Sequence, residues 1–168
     1  MSVVAAQAAL SAQVTHAHPE GIAGAVAVAL AAAEACRSGA AGHRPSHGDF
    51  LGRVVEGLPP SEVRSKLIRA QSMAHVSSLD FPISVLGNGM NMSAQDTVPF
   101  ALWCCGQALE SYQEALWLTV GAGGDRDTLC AIVGGVVASF VGAEEIPSDW
   151  RIHREILPEW HLPSRSSS

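Results

Sequence analysis

Residues 121–128 read GAGGDRDT, and they run directly into the apolar stretch LCAIVGGVVASFV at residues 129–141. The glycines permit unusual backbone angles and close approach of other chain segments. The stretch that follows has the length and composition of a core helix. Asp125, Asp127 and Thr128 therefore place two carboxylates and a hydroxyl at the start of a helix. Oxygen-only sets of this kind suit hard divalent cations such as Mg²⁺ or Mn²⁺.

A helix cap is the competing interpretation of the same residues. Asp125 or Asp127 can accept hydrogen bonds from the free backbone amides of the first helical turn. If the helix start is buried, as the apolar run behind it indicates, two carboxylates there are costly unless they are paired or bound to a metal. Arg126 could supply that pairing. Local chemistry alone supports the metal site and the cap equally.

Composition predicts a single all-α domain. The 168 residues are enough for one domain with a core of its own, and 48% of them are hydrophobic while only 5% are aromatic. Alanine and glycine let helices pack closely, and no sustained alternation of β-branched residues indicates strands. We expect helices over about 2–13, 19–37, 49–56, 61–75, 94–110, 112–120 and 127–141, with irregular backbone at 77–91.

Charge, hydropathy and cysteine usage exclude several classes of protein. A net charge of −6 offers no basic surface for nucleic acid. The apolar runs Ile22–Ala33 and Leu129–Val141 are shorter than the roughly 20 residues needed to cross a bilayer, so no membrane partner is expected. A secretory signal requires a positively charged segment near its start, and no Lys or Arg precedes Arg37. The four cysteines form no C-x-x-C motif or disulfide framework, which favours a reducing, cytoplasmic location.

Four blocks of the sequence resemble, in order, the ADP-ribosylglycohydrolase family, of the dinitrogenase reductase-activating glycohydrolase type. GGDRDT at residues 123–128 is similar to the family's GGDTDT motif. VTHAHPEGIAGA at 14–25 resembles its T-H segment and the helix that follows. GNGMNMSAQDTVPFA at 87–101 resembles its N-G loop and Ser-Val-Pro helix, and IPSDW at 146–150 resembles its I-P-x-x-W motif.

The resemblance implies a compact, orthogonal helical domain with a binuclear Mg²⁺ or Mn²⁺ site. It implies that Asp125, Asp127 and Thr128 are metal ligands. It also implies that His16 and the loop formed by Gly87, Asn88 and Gly89 contact ADP-ribose. The expected activity is Mg²⁺-dependent hydrolysis of the N- or O-glycosidic bond that joins ADP-ribose to a modified protein or a small ADP-ribosyl compound.

One part of the family pattern has no counterpart in this sequence. The family's G-D-x-x-G segment and T-D-D cluster, which complete the metal site, lie upstream of the T-H segment. We therefore expect residues 1–157 to be the C-terminal portion of such a domain and residues 158–168 to be a ragged tail. No general acid or base can be assigned. An active hydrolase, a catalytically inactive ADP-ribose-binding module and a truncated fragment all stay open, and a separately encoded N-terminal half or self-association is the expected protein partnership.

Five further residues carry structural expectations. Asp96 follows Ser93 at the spacing of a capping box and is expected to be structural. Trp103 and Trp117 are expected in the core, and Trp150 is expected to seal the end of the domain. His47 lies in a stretch rich in glycine and proline and is expected to be solvated.

Overall fold

The structure, a computed structural model, describes residues 3–76 and 78–156. Within these ranges the chain forms nine α-helices and one short 3₁₀ helix and no β-strand, which confirms the expected all-α fold. The tail expected at residues 158–168 lies outside the described residues. The helices are α1 (Val3–Gln13), α2 (Pro19–Ala40), α3 (His47–Glu56), α4 (Glu62–Gln71), α5 (Asp80–Leu86), α6 (Ala94–Gln107), α7 (Tyr112–Gly121), α8 (Arg126–Val141) and α9 (Ser148–Ile152), with the 3₁₀ helix at Ala143–Glu145.

Helices α2, α6 and α8 pack against one another at the centre of the described fold. Helix α6 is buried from Asp96 to Cys105, and the other helices cover it. Helix α1 packs on α2, helix α7 packs on α8, and α3 and α4 cover the remaining side of α6. Large, fully buried side chains lie along these contacts, among them Trp103, Phe50, Phe100, Leu51, Leu67 and Leu129.

Small residues let the central helices approach closely, as the composition predicted. A Cβ at Gly39 of α2 would lie 2.2 Å from the backbone oxygen of Phe140 in α8. A Cβ at Gly24 would lie 2.8 Å from the Cβ of Ala94 at the start of α6. A larger side chain at either glycine would force the helices apart, because packed interiors leave no space of that size.

Helix α6 contains a proline whose missing donor is replaced by a side chain. Pro99 has no N–H to donate to the carbonyl of Gln95, four residues earlier. The Lys66 ammonium donates to that oxygen instead, at 2.9 Å, and to the Leu86 carbonyl at 3.2 Å. Lys66 thereby joins α4 to the end of α5 and to the first turn of α6.

The expectation of irregular backbone at residues 77–91 was wrong for the central part, where α5 spans Asp80–Leu86. Pro82 misled the prediction. It is the third residue of the helix, where a backbone N–H has no partner within the helix in any case, so proline is tolerated. Helix α2 also extends beyond the expected end at residue 37, to Ala40.

Helix α2 has 22 residues and is apolar enough to cross a bilayer by length and composition alone. The expectation that this region is too short was therefore wrong about its length. Length and composition alone are weak evidence for a membrane span, because the core helix of a soluble protein can have the same features. In this fold Ala23, Val26, Ala27 and Ala31 of α2 are buried in the core.

The expectation for Trp103 is confirmed and those for Trp117 and His47 are wrong. The sealing role of Trp150 stays a prediction, since this residue is 36% exposed. Trp103 is buried and donates from Nε1 to the Met73 carbonyl at 2.9 Å. Trp150 packs edge to face on Trp117 and Tyr112 at the end of the domain. Trp117, however, is 58% exposed rather than part of the core. His47 is partly buried between α4 and α6, with Nε2 bonded to the Ala70 carbonyl at 2.8 Å.

Candidate functional site

A cleft of about 1050 Å³ opens between the turn joining α1 to α2 and the first turn of α8. Its walls are mainly alanine and valine side chains from α1 and α2, and the start of α6 forms another side. The polar side chains of the lining come from α1 and the start of α2, from the start of α6 and from the start of α8: Ser11, Thr15, His16, His18, Glu20, Ser93, Gln95, Thr97, Asp125 and Thr128.

His16 is held at the mouth of this cleft by the turn that carries it. Its backbone N–H donates to the Ala12 carbonyl at 2.8 Å, and its Nδ1 lies 2.8 Å from Thr15 Oγ1. The imidazole lies over Gly21, where a Cβ would come within 3.2 Å of the ring. Although the side chain is exposed, these contacts fix its direction.

The neighbouring polar residues His18 and Glu20 have structural tasks. His18 is the N-cap of α2, and its Nδ1 accepts from the Glu20 amide at 3.2 Å. The Glu20 carboxylate in turn accepts from the amides of Glu62 at 2.7 Å and Val63 at 3.0 Å, so it caps α4. Because both of its oxygens are engaged, Glu20 is a poor candidate for a metal ligand or a general base.

Asp125 caps α8 and also lines the cleft. Gly123 and Gly124, at φ of 65° and 66°, turn the chain into the helix. Asp125 Oδ1 then accepts from the Thr128 amide at 3.4 Å, which is a long cap bond. Asp125 is partly exposed, and Asp127 and Thr128 are exposed. The expectation of a buried helix start was wrong, because α8 becomes buried only from Leu129 onward.

The two carboxyl groups lie beside each other. A side-chain hydrogen bond with Asp127, followed by hydrogen bonds with Thr128, lowers the pKa of Asp125 below its ordinary value. When both carboxyls are ionised they repel each other, so a cation between them is favoured. Arg126 does not supply it: its Nε donates to the Val120 carbonyl at 3.3 Å, and none of the ion pairs among the described residues joins it to either carboxylate.

The loop of Gly87, Asn88 and Gly89 lies behind the Asp125 turn. The Asp125 amide donates to the Asn88 carbonyl at 3.1 Å. A Cβ at Gly89 would lie 2.7 Å from the Asp125 Cβ, and one at Gly124 would lie 2.1 Å from the Asn88 oxygen. In the described part of the chain this loop is not part of the cleft lining. Its contact with a nucleotide stays a prediction, whereas its contact with Asp125 is direct.

The fold thus brings His16, Asp125 and Thr128 to one cleft, while Asp127 lies beside Asp125 just outside the lining. Sequence reasoning missed Ser93, Gln95 and Met92 in the wall. Ser93 makes no side-chain cap bond, contrary to the expected capping box, and is therefore free to face the cleft. Met92 is 89% exposed and has a φ of 47°. Apart from the preceding N-G turn, no sequence pattern predicts this backbone conformation.

These residues fit part of a hard-cation site. Two carboxyls and a hydroxyl are oxygen donors of the type that Mg²⁺ and Mn²⁺ prefer. Mg²⁺ commonly binds through one or two carboxylates and completes an octahedral shell with other oxygens. Among residues 3–76 and 78–156 no group of three or more His, Cys, Asp or Glu side chains is arranged to hold a metal. The described residues thus place these three oxygen donors at one turn, and their binding of a metal stays a prediction.

Known proteins match the chain over almost its whole length. The ADP-ribosylglycohydrolase family profile matches residues 2–161. The mouse and human proteins named ADP-ribosylhydrolase ARH3 are each 28% identical over 95% of this chain, and the matched regions are 49% and 50% of their own lengths. An uncharacterized protein of Archaeoglobus fulgidus is 31% identical over 89% of the chain and 46% of its own length.

The chain spans about half the length of these relatives. The matched half contains the T-H turn, the N-G loop and the Asp125 turn that form the cleft and its support. The chain belongs to the ADP-ribosylglycohydrolase family.

Proposed function

We propose that this chain forms the part of a Mg²⁺-dependent hydrolase that binds ADP-ribose and holds one face of the metal site. The substrate is ADP-ribose attached to a modified protein or to a small ADP-ribosyl compound. The observation that carries the proposal is the meeting of His16, Asp125 and Thr128 in one cleft, in a member of this family.

The cleft suits a nucleotide diphosphate sugar. Its volume of about 1050 Å³ is large enough for such a ligand. The alanine and valine walls offer an apolar surface for a base, and His16 offers a polar group at the mouth. The starts of α6 and α8 reach the same cleft, and helix N-termini favour anionic groups such as a diphosphate.

Cleavage of the glycosidic bond passes through an oxocarbenium-like transition state, in which positive charge develops on the ribose. Asp125 and Asp127 would hold Mg²⁺, and Thr128 would add a neutral oxygen. When bound, the metal would supply orientation of the ribose hydroxyls and of the attacking water. Asp125 is suited to this task because it is ionised at neutral pH and fixed at the cleft wall by the Asn88 carbonyl.

A second function, binding of ADP-ribose without catalysis, is favoured by one observation. The acidic residues of the described cleft lining are Glu20 and Asp125. Glu20 is committed to capping α4, and Asp125 is assigned to the metal, so the lining offers no carboxylate for general acid or base work. A partner polypeptide, such as a separately encoded N-terminal half, would supply that group if the chain belongs to an active enzyme.

The proposal is tested by incubating an ADP-ribosylated protein with the chain, either with Mg²⁺ or with a chelator. Chromatography then measures how much ADP-ribose is released. We expect the chain alone to release ADP-ribose very slowly or not at all. With its partner half present, we expect Mg²⁺-dependent release that Asp125→Asn abolishes. Asp49→Asn is the matched control. Asp49 also lies in the first turn of a helix, where it bonds Ser46, but it is exposed and outside the cleft.

Three results separate the candidate functions. Release that requires Mg²⁺ and Asp125 but not Asp49 supports the hydrolase. Binding of ADP-ribose without release, by the chain alone and with its partner half, supports the binding module. Release that is equal in Asp125→Asn and in the unaltered chain contradicts the assignment of Asp125.

A further inference from the structure

The segment between α5 and α6 is closed at both ends by one side chain. Lys66 Nζ donates to the carbonyl of Leu86, the last residue of α5, and to the carbonyl of Gln95 at the start of α6. The Lys66 side chain is only 20% exposed. A single ammonium therefore holds the two stems of the loop that contains residues 87–94.

Asp96 binds the same segment from inside. It is 6% exposed, and its Oδ2 and Oδ1 accept from the backbone N–H of Asn91 at 2.9 Å and from Asn91 Nδ2 at 3.0 Å. Its own carbonyl accepts from the Gly89 amide at 3.1 Å. Gly87 packs so closely that a Cβ there would lie 2.3 Å from Asp96 Oδ1.

No cation accounts for the burial of Asp96. None of the ion pairs among residues 3–76 and 78–156 includes it. Burial of a carboxylate without an ion-pair partner is costly unless hydrogen bonds offset the lost hydration. Both hydrogen bonds to the Asp96 carboxylate come from Asn91 of the loop, so the loop and the carboxylate stabilise each other in a single arrangement.

The other side of the 87–94 loop contacts the Asp125 turn, which is the candidate metal-binding turn. The Asn88 carbonyl accepts from the Asp125 amide, and Asn88 Nδ2 donates to the Ala122 carbonyl at 3.3 Å. Gly89 lies directly against the Asp125 side chain, with no room for a Cβ. The contacts run without a break from Lys66 and Asp96, through the loop, to the backbone and the Cβ of Asp125.

We propose that Lys66 and Asp96 are positioning residues for Asp125, acting through the Gly87–Asn91 loop. They fix the direction of the Asp125 carboxylate at the cleft wall without touching the ligand themselves. The inference rests on the proposed function, because it takes Asp125 to be the group that binds the cation. Partners that orient a ligand residue in this way commonly change metal affinity by about ten- to a hundredfold when they are removed.

Two measurements on the full chain test the inference. Calorimetric titration with Mn²⁺ gives the metal affinity, and amide hydrogen exchange at Asp125 reports the bond to Asn88 without any metal. Asp96→Asn and Lys66→Met should weaken Mn²⁺ binding about tenfold or more and speed exchange of the Asp125 amide, while Lys66→Arg should retain most of the affinity. Asn91→Ala is a milder variant, since Asn91 is exposed, and should show a smaller change in the same direction.

Val55→Ala is the control for general destabilisation. Val55 is buried in α3, away from the loop and outside the cleft lining. Its loss should lower the melting temperature while leaving both Mn²⁺ affinity and Asp125 exchange unchanged.

The outcomes are distinct from those of the proposed function. If Asp125→Asn removes Mn²⁺ binding while Asp96→Asn, Lys66→Met and Asn91→Ala bind as the unaltered chain does, the positioning role is wrong and the proposed function stands. If Val55→Ala weakens binding as much as Asp96→Asn, the effect is one of stability and the positioning role is also wrong. If Asp125→Asn binds Mn²⁺ normally, the proposed function fails first. In that case unchanged Asp125 exchange in the loop variants would overturn the coupling as well.

Discussion

Asp125 has two neighbours that set its chemistry, the Asp127 carboxyl on one side and the Asn88 carbonyl on the other. The first lies close enough to form a hydrogen bond with the Asp125 side chain, and the second fixes the backbone from which Asp125 projects. The cap and metal interpretations of this turn are therefore compatible at the level of geometry. The same oxygen that accepts a long bond from the Thr128 amide belongs to a carboxylate on the cleft wall.

The residue types of the site could be predicted from the sequence, whereas their surroundings could not. GGDRDT identifies an oxygen-rich turn at a helix start, because glycine and aspartate have strong local preferences there. That Glu20 is occupied by the amides of Glu62 and Val63 depends on a contact between α2 and α4, distant in sequence. The sequence predicts a capping box between Ser93 and Asp96, but Ser93 forms no side-chain cap bond. The Asp96 carboxylate bonds to Asn91 of the loop instead, which the local sequence does not predict.

Glu34 is a buried acid away from the cleft, and it predicts a pH dependence of stability. It is 5% exposed. Burial by itself raises its pKa, but hydrogen bonds from Arg37 and Ser38 and the charges of Arg37 and Arg53 outweigh that effect and lower it. A lowered pKa in the folded state means that the unfolded state takes up a proton first on acidification. The stabilisation is therefore complete above the ordinary value of 4.5 and is lost as the pH falls through the folded pKa.

Glu34→Gln should lower the free energy of unfolding at pH 7 by about 2 kcal/mol, the size of a hydrogen bond to a charged group. It should also flatten the fall in stability below pH 4.5. Urea unfolding between pH 3 and 7 measures both effects. An acid limb as steep in the variant as in the unaltered chain would show that other carboxylates produce it.

At the scale of elements, long apolar helices were the easiest feature to predict. Helix α8 begins within one residue of its expected start and ends at the expected residue, because glycine turns bound a continuous apolar run. Helix α5 was missed because Pro82 and the nearby glycines resemble loop sequence, although proline in a first turn costs little. The start of α6 was predicted, but the means by which Pro99 is tolerated was not. It depends on Lys66 from another helix.

Close packing of α2 on α8 can be tested with two glycine substitutions. Gly39→Ala should destabilise the fold by about 1–3 kcal/mol, because its Cβ would lie 2.2 Å from the Phe140 backbone oxygen and the helices would have to separate. Gly135→Ala is the matched control on α8. Nothing lies within 4 Å of a Cβ there, so alanine should stabilise by up to about 1 kcal/mol through its higher helix propensity.

Urea unfolding of the two alanine variants gives both values. Equal effects of the same sign at Gly39 and Gly135 would contradict the close approach of the helices, because propensity alone would then explain the result.

At the scale of the whole molecule, family membership and the helical fold could both be predicted from four sequence blocks in order. The cleft could not be predicted from them in detail, because its alanine and valine walls carry no motif and depend on how α1 lies on α2. The chain spans about half the length of the curated relatives that it matches. We propose that this chain contributes the ADP-ribose cleft and one side of the cation site.

A calorimetric titration of the chain with ADP-ribose, with Mg²⁺ present, tests most directly the central claim that the cleft binds ADP-ribose. We predict one site per chain, with affinity weakened about tenfold or more in His16→Ala and in Asp125→Asn, in line with loss of a buried or charged contact of about 1.4 kcal/mol or more. His43→Ala should bind as the unaltered chain does, because His43 is exposed and outside the cleft lining. Absence of ADP-ribose binding in a cooperatively folded sample, or equal binding by all three variants, would contradict the account.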